Sequence, residues 1–393
     1  MEHQVGEDQE KCRTRLQSGG SQAIKGGGSR ILRPPRRNLQ GCPRDFLFLN
    51  NMNLLSVTGI RKREQGDFVL QIDAFTQQKF QKIAIAGESG SGKSTLLKII
   101  AGLVQPDAGE VLYEQKRVLG PYEKLIPGHP RIAYLSQHFE LHNSYRVEEV
   151  LSYANLLSDE EAATIYDVCR IGHLMKRRTD QVSGGERQRI ALARLLITSP
   201  GLLLLDEPYS NLDLIHKDIL RSVVRDIGER LQISCILVSH DPLDTLSWAD
   251  EILVMKDGRV IQKGSPERIY GQPVDEYAAG LFGRYNLLSP AMAAALVTTG
   301  GARGRGLRET ASDEAGVDGR RVLVRPGDFA VMREKVQARA LPAMVDSVVF
   351  LGSYYEIDLS FSGEKITVQT AAADIAKGES VFLSLICQDP WYI

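Results

Sequence analysis

The sequence predicts an α/β protein whose doubly wound core on a parallel sheet is followed by a small all-β domain. Two continuous apolar runs, 201–205 and 234–238, are typical of strands buried on both faces of a parallel sheet. Between residues 54 and 238, strand-like runs alternate with helix-like segments, as they do in α/β folds. After Asn286 only short strand-like runs remain, which indicates a small β-barrel or sandwich.

The individual elements follow from local patterns. Apolar runs at 54–57, 68–72 and 82–86 predict strands, and the third leads directly into a glycine-rich turn. Residues 94–103 then predict a helix, which Gly102 ends. The C-terminal part is predicted as a loop at 300–306 followed by strand runs at 321–325, 329–333, 344–350, 354–361, 365–370 and 380–386.

Residues 1–51 differ from the rest of the chain because they are rich in Gly, Ser, Arg and Gln. Such a segment buries too little apolar surface to offset the entropy lost on ordering, so we expect a disordered N-terminal extension. The segment is mildly basic, but a tail without function is favoured over a nucleic-acid arm. Met52 directly precedes the first strand-like run, and we expect translation to start there.

Composition excludes several classes of protein. The formal net charge is −1, so nothing global favours nucleic acid or an acidic membrane surface as a partner. The five cysteines are scattered and form no C-x-x-C pair, which argues against a disulfide framework or zinc site and fits a reducing cytosol. No apolar run approaches the roughly 18 residues of a spanning helix, so we do not expect the chain to cross a membrane by itself.

A glycine-rich stretch between a predicted strand and a predicted helix fits the phosphate-loop pattern G-x-x-x-x-G-K-[ST]. It consists of Gly87, Glu88, Ser89, Gly90, Ser91, Gly92, Lys93 and Ser94, followed by Thr95. Glycines let backbone N–H groups approach phosphates, and the helix N-terminus adds its positive end. We therefore expect a nucleoside triphosphate site in which Lys93 reaches the β- and γ-phosphates and Ser94 ligates Mg²⁺.

A pair of carboxylates follows the apolar run 202–205, where the chain reads Asp206-Glu207. The carboxyl ends of parallel strands are where α/β proteins place their sites. Because successive strand side chains point to opposite faces, the two carboxylates can play different roles. Beside a phosphate loop, Asp206 would hold the Mg²⁺ shell and Glu207 would polarise the attacking water.

A second anion-binding element is predicted where Ser183, Gly184 and Gly185 open a helix that runs through 190–197. Two glycines after a serine expose backbone N–H groups at the start of that helix, and such a terminus binds anions. A simple helix cap has the same local sequence. The resemblance of this stretch to a family motif, described next and extending to Ala-Leu-Ala-Arg, favours the anion site over the cap.

The stretch 182–189, Val-Ser-Gly-Gly-Glu-Arg-Gln-Arg, resembles the signature motif of ATP-binding cassette (ABC) ATPases, with Val and Glu for the usual Leu and Gln. Further matches lie in the expected order. Gln137 resembles the Q-loop glutamine, which contacts Mg²⁺ or water and senses the membrane partner. Asp213 resembles the D-loop aspartate, and His240 the switch histidine that contacts the γ-phosphate. Residues 140–150 resemble the stretch that leads into the helical subdomain, so the resemblance implies a P-loop NTPase cassette with a RecA-like core and that subdomain.

The resemblance assigns residues 52–284 to the cassette and 285–393 to a TOBE-like β domain of the OB type. Residues 264–270 resemble the cassette end of importer ATPases, while 324–328 and 350–353 resemble two pieces of a TOBE domain. Importers of this subgroup take up sugars, polyamines, ferric iron or oxyanions, which is the range the resemblance implies for the transported solute.

One region departs from the family pattern. ABC ATPases usually stack adenine on an aromatic residue soon after the first strand, and residues 59–63 contain none. Phe68 is the nearest candidate, and packing on Ile60 and an arginine stem is the alternative.

For the mechanism, the resemblance implies an ATPase that uses ATP and Mg²⁺ and drives transport. Two cassettes, expected to be two copies of this chain, meet head to tail, so that each ATP lies between Lys93 of one and Ser183 of the other. ATP closes the pair and hydrolysis opens it. The expected partners are separate transmembrane permease subunits and a periplasmic or extracellular substrate-binding protein, with this chain at the cytoplasmic face of the membrane.

An alternative is a non-transport ABC ATPase that acts on nucleic acid or the ribosome. Such proteins usually carry two cassettes, or large coiled-coil or zinc insertions, and this sequence has one cassette and neither insertion. The importer is therefore favoured, and no nucleic acid partner is expected. A C-terminal domain that senses a small ligand and throttles transport is compatible with the importer.

Overall fold

The structure is a computed structural model that describes most of the chain beyond residue 52. The described residues are 53–64, 66–137, 141, 144–210, 212–296, 321–335, 340–361, 363–371, 374–386 and 391–393. The predicted extension at 1–51, the expected start at Met52 and the predicted loop at 300–306 lie outside them, as does Asn211 beside the D-loop-like aspartate. Among the described residues, no helix combines the length and apolarity needed to span a membrane.

Strands and helices alternate through the first part of the described chain. The strands are β1 (Leu55–Arg63), β2 (Val69–Gln77), β3 (Lys82–Ala86), β4 (Ala108–Tyr113), β5 (Lys116–Arg117), β6 (Ile132–Leu135), β7 (Leu202–Asp206), β8 (Ser234–Val238), β9 (Glu251–Lys256) and β10 (Arg259–Gly264). The helices are α1 (Lys93–Ile100), α2 (Val147–Ser152), α3 (Asp159–Val168), α4 (Gly184–Leu196), α5 (Leu214–Arg230), α6 (Pro242–Leu246), α7 (Pro266–Gly271) and α8 (Glu276–Leu281).

The central sheet has the strand order β10-β9-β3-β8-β7-β6. Its strands from β9 to β6 pair in parallel, and β10 is added by an antiparallel hairpin. Every residue of β7 and β8 is buried, in agreement with the continuous apolar runs that predicted them. The predicted α/β fold on a parallel sheet is therefore confirmed.

A second sheet, absent from the sequence-based prediction, is antiparallel and has the order β2-β1-β4-β5. One hydrophobic core joins it to the central sheet through α1. Leu96 and Leu97 of α1 pack in the same cluster as Leu70 of β2 and Ile85 of β3. The helix that follows the glycine-rich loop is thus packed between the two sheets.

A second core covers the other face of the central sheet and contains helices α2 to α5. Leu151, Ile165, Ile190 and Val224, one from each of these helices, share it with Leu203 of β7. Helix α4, which follows Ser183, therefore shares one core with β7, the strand that ends at Asp206.

In the C-terminal part, among the described residues after 284, β-strands predominate, as predicted, together with one α-helix and a 3-10 turn at Pro326–Asp328. Its elements are β11 (Asn286–Leu288), α9 (Pro290–Leu296), β12 (Val322–Val324), β13 (Phe329–Met332), β14 (Leu341–Phe350), β15 (Tyr355–Phe361), β16 (Glu364–Thr370), β17 (Ser380–Leu385) and β18 (Trp391–Tyr392). They form sheets of order β11-β12-β18 and β13-β17-β14-β15-β16. A core of its own, to which Leu288, Ile357 and Leu383 belong, fills this part.

Candidate functional site

The glycine-rich loop joins the end of β3 to the start of α1. Gly92 caps α1 with a φ of 94°, which a residue with a side chain rarely adopts. Gly87 lies so close to β9 that a Cβ atom there would be 2.3 Å from the Met255 carbonyl oxygen. Ser89 and Gly90 are exposed at the tip of the loop. Glycine is therefore required at both ends of the loop, once for backbone conformation and once for space.

Lys93 folds back on this loop. Its Nζ donates hydrogen bonds to the carbonyl oxygens of Gly87 at 2.8 Å and Glu88 at 2.7 Å, and it also lies 3.4 Å from Ser91 Oγ. Burial lowers the pKa of Lys93, while the nearby carboxylates, Glu207 foremost, act in the opposite direction. A buried ammonium held by two neutral carbonyls is a ready partner for an anion.

Asp206 is the last residue of β7 and is buried at the foot of the loop. Its Oδ1 accepts a hydrogen bond from Ser94 Oγ at 2.9 Å, and its Oδ2 accepts one from the Tyr134 hydroxyl at 2.8 Å. Burial and the Asp206 carboxylate both raise the pKa of Tyr134, so the phenol stays a donor. The prediction missed Tyr134, although its pairing with β7 through parallel β6 brings it beside Asp206.

Glu207 lies beyond the end of β7, and its φ of 51° is left-handed. Glu207 therefore does not continue the strand, so strand alternation cannot be the reason why the two carboxylates would differ in role. Its Oε2 lies 2.6 Å from Nδ1 of His240, whose side chain is 67% exposed. The structure thus brings together the acidic pair and the predicted switch histidine.

Gln137 is exposed just past the end of β6, the strand that carries Tyr134. Thr95, the last residue of the predicted loop, is already in helix α1. Its hydroxyl donates to Oε1 of Glu64 at 2.6 Å. Glu64 follows β1, and its contact with the loop region was not foreseen from the sequence.

The predicted second anion element has the geometry of a helix cap. The Ser183 side chain accepts a hydrogen bond from the Glu186 N–H at 3.3 Å, and the Glu186 carboxylate accepts one from the Ser183 N–H at 2.8 Å. Gly184 is exposed, and Gly185 is buried against His216. Among the described residues, no hydrogen bond or ion pair joins these three positions to the phosphate loop.

Asp213 caps helix α5. Its carboxylate accepts a hydrogen bond from the His216 N–H at 3.0 Å and lies 2.7 Å from the ring Nδ1 of His216. The backbone N–H of His216, followed by its side chain, lowers the pKa of Asp213, so the exposed carboxylate stays ionised. The same histidine packs on Gly185, which connects the D-loop-like aspartate to the signature-like helix.

The alternative of adenine packing on Ile60 is wrong, because Ile60 is fully buried within β1. Phe68, by contrast, is half-buried. The edge of its ring lies 3.0 Å from the point that a Cβ atom on Gly92 would occupy. Phe68 therefore remains the aromatic candidate beside the phosphate loop.

A phosphate loop, an acidic strand end and a switch-like histidine on this parallel sheet define a P-loop ATPase. Comparison with known families makes the assignment narrower. The family model of the ABC transporter ATP-binding region matches residues 70–210, and that of the TOBE domain matches 322–390.

Similar proteins of known function support the same family. The chain is 32% identical over 352 residues to a sulfate/thiosulfate import ATP-binding protein of Chromobacterium violaceum, covering 84% of this chain and 95% of the relative. A protein of the same description from Bacillus cereus is 30% identical over 86% of this chain and 95% of its own length. A glucose import ATP-binding protein of Saccharolobus solfataricus is 36% identical over 53% of this chain and 61% of its own.

The fold agrees as well. The structure of the ADP conformation of an ATP-binding cassette from an ABC transporter matches with a TM-score of 0.50 and 23% identity, over 59% of this chain and 98% of the other. The chain belongs to the ABC transporter ATP-binding proteins, in the import group that carries a TOBE domain. It is an ATPase subunit of an importer, which confirms the favoured reading over the non-transport alternative.

Proposed function

We propose that the chain binds ATP with Mg²⁺ at the loop 87–95 and hydrolyses it with Glu207 as the group that polarises water. The observation that carries this proposal is the contact between Ser94 and Asp206 at 2.9 Å, within one site with Lys93. A serine hydroxyl and one carboxylate beside a phosphate loop are the oxygen donors that Mg²⁺ takes together with nucleotide phosphates. The exposed Gln137 would add a third protein oxygen.

Each side chain then has a distinct task in hydrolysis. Bound Mg²⁺ would neutralise charge on the β- and γ-phosphates. Lys93 exchanges its two carbonyl partners for phosphate oxygens, and the loop N–H groups bind the remainder. Glu207 accepts a hydrogen bond from the attacking water. The water oxygen forms a bond to the γ-phosphorus as the bond from that phosphorus to the ADP oxygen breaks, and the proton lost by the water leaves with the phosphate product. His240, 2.6 Å from Glu207, orients that carboxylate and contacts the γ-phosphate.

The site is completed by a second cassette, expected to be another copy of this chain. Support comes from Ser183 and Gly184, which are exposed at the start of α4 and have no described bond to their own phosphate loop. In the pair, this capped helix terminus would bind the γ-phosphate held by Lys93 of the other copy, with Asp213 beside it. ATP would close the pair, and loss of the γ-phosphate would open it.

The permease would dock on a groove beside Gln137. A cavity of about 380 Å³ there is lined by Tyr134, Leu135, Leu141 and other side chains, and a neighbouring one of about 320 Å³ contains the 82% exposed Tyr153. Because Tyr134 also binds Asp206, a partner in the groove would touch a residue of the ATP site.

In this proposal the chain acts at the cytoplasmic face of the membrane, and a substrate-binding protein serves the opposite side. The proposed cassette spans 52–284 and the TOBE-like domain 285–393, with 1–51 as a dispensable extension. The solute falls within sugars, polyamines, ferric iron and oxyanions. The relatives named for sulfate/thiosulfate and glucose lie in that range.

Lys93→Ala tests the loop, with Lys98→Ala on the exposed face of the same helix as the control. Binding of ATP should be lost in the first variant and kept in the second, as measured by calorimetry. Equal binding in both would reject the phosphate loop.

Glu207→Gln tests the water-polarising role and the pairing together. We expect ATP binding to persist, turnover to fall by at least about a hundredfold, and an ATP-dependent dimer to accumulate in sedimentation. A monomer with ordinary turnover would refute both assignments.

A further inference from the structure

The hydroxyl of Tyr277, on helix α8, lies between the phosphate loop and the end of β9. It accepts a hydrogen bond from the Glu88 N–H at 2.9 Å and donates one to the Met255 carbonyl oxygen at 2.9 Å. Lys256 Nζ lies 4.8 Å from the centre of its ring. Burial, above all, raises the pKa of Tyr277, so the hydroxyl remains a donor at neutral pH. Both hydrogen bonds can therefore exist together.

These two hydrogen bonds fix the part of the phosphate loop whose carbonyl groups bind Lys93. Gly87 packs against the same Met255 carbonyl oxygen. A Cβ atom at position 87 would lie only 2.3 Å from that oxygen, so a side chain has no room there. The carbonyls of Gly87 and Glu88 are in turn the acceptors of Lys93 Nζ. Tyr277 thus braces the same two residues whose carbonyls hold the ammonium.

Helix α8 is itself held by the C-terminal β part. Arg325, which follows β12 and is 4% exposed, donates from Nη1 to Ala279 O at 3.0 Å and to Gly283 O at 3.1 Å. Its Nη2 donates to Tyr270 O at 2.9 Å, and its guanidinium stacks 4.1 Å from the centre of that ring. The planar fork of arginine suits several acceptors at once, and lysine lacks it. A continuous series of contacts therefore leads from Arg325, beside β12, through α8 and Tyr277 to the phosphate loop.

We propose that Tyr277 is a positioning residue of the phosphate loop, through which the seating of the C-terminal β part sets the affinity of that loop for ATP. Tyr277 touches no phosphate in this proposal, because it acts through the backbone of Gly87 and Glu88. The proposal rests on the function proposed above, in that ATP binds at this loop.

The first test is Tyr277→Phe, which removes the hydroxyl and keeps the ring over Lys256. Tyr285→Phe is the matched control, since the partner of that hydroxyl is the Glu276 carboxylate and, among the described contacts, no residue of the phosphate loop. We expect Tyr277→Phe to raise the Kd for ATP about 5- to 10-fold, the effect of one or two lost hydrogen bonds, with kcat at saturating ATP within about twofold. Tyr285→Phe should leave both unchanged.

Unchanged ATP affinity in Tyr277→Phe would overturn the positioning role, as would equal losses in both variants. The failure of the unsubstituted chain to bind ATP would instead refute the proposed function itself. The two failures are therefore distinguishable by calorimetry with ATP on three proteins.

The second test asks whether the C-terminal part acts through Tyr277. Arg325→Lys should weaken ATP binding in the unsubstituted chain and have little further effect when combined with Tyr277→Phe. Equal effects in both backgrounds would overturn the connection. If Arg325→Lys does not fold, Trp391→Phe replaces it, because Trp391 Nε1 donates to Pro273 O at 2.8 Å just before α8. The same non-additivity is then expected, and additivity again contradicts the proposal.

Discussion

Asp244 on α6 is the point where removal of one charge should destabilise the region around the switch histidine. Its side chain is 1% exposed. It accepts from Arg221 Nε at 2.7 Å and from Ser239 Oγ at 2.9 Å, and lies 3.4 Å from Lys217 Nζ. Both cations are on α5, and Ser239 directly precedes His240. Asp244→Asn keeps the shape of the side chain and removes its charge.

The structure supplies a control on the same arginine. Asp218 lies 3.1 Å from Arg221 Nη1, but its side chain is 62% exposed. Breaking a buried ion pair by neutralising one partner costs about 3–5 kcal/mol. An exposed pair is worth about 0–1 kcal/mol, because water screens it. We therefore expect Asp244→Asn to lower the free energy of unfolding by at least about 2 kcal/mol more than Asp218→Asn.

Urea unfolding followed by tryptophan fluorescence measures this difference. The chain has two tryptophans, and Trp248, 8% exposed, lies just after α6. In a Trp391→Phe background the signal comes from Trp248, so the transition reports on the region of Asp244. Equal unfolding free energies for Asp244→Asn and Asp218→Asn would refute the reasoning, since burial would then make no difference to charges on one arginine.

Three further predictions rest on single contacts. Tyr134→Phe should lower the free energy of unfolding by about 1.5–3 kcal/mol, because a buried carboxylate loses a donor; an unchanged urea midpoint would contradict this. Burial raises the pKa of Cys169 and Cys235 to about 12, so at pH 8 both stay protonated, and mass spectrometry should find them alkylated by iodoacetamide only after unfolding. Gly109→Ala should destabilise far more than Gly66→Ala, since both have positive φ but only the first would place a Cβ 2.3 Å from backbone; similar melting temperatures would contradict it.

Two strands set by local pattern were predictable to the residue. Strands β3 and β8 coincide with the predicted runs 82–86 and 234–238. Each is a short apolar stretch between turn signals, buried on both faces, so its boundaries depend on nearby residues alone. The second partner of β1, strand β4, was not predictable in this way. The pairing of β1 with β4 joins Leu55 to Tyr113, and no local signal specifies that long-range choice.

In the site, too, the features set by a local sequence motif were predictable and the others were not. The pattern around Lys93 and Asp206 identified groups that would touch the nucleotide, since phosphate and metal chemistry demand those residue types at that spacing. It could not foresee the left-handed turn at Glu207, with a φ of 51°, because a glutamate carries no signal for that conformation.

The tyrosines show why the supporting groups stay hidden in the sequence. A tyrosine in an apolar stretch looks like a core residue, and its ring indeed packs as one. At Tyr134 and Tyr277 it is the hydroxyl that matters, reaching Asp206 at 2.8 Å and the Glu88 N–H at 2.9 Å. Both contacts join segments distant in sequence, so only the folded chain brings them together. Tyrosine-to-phenylalanine changes, conservative by composition, should therefore perturb this site more than many changes of charge on its surface.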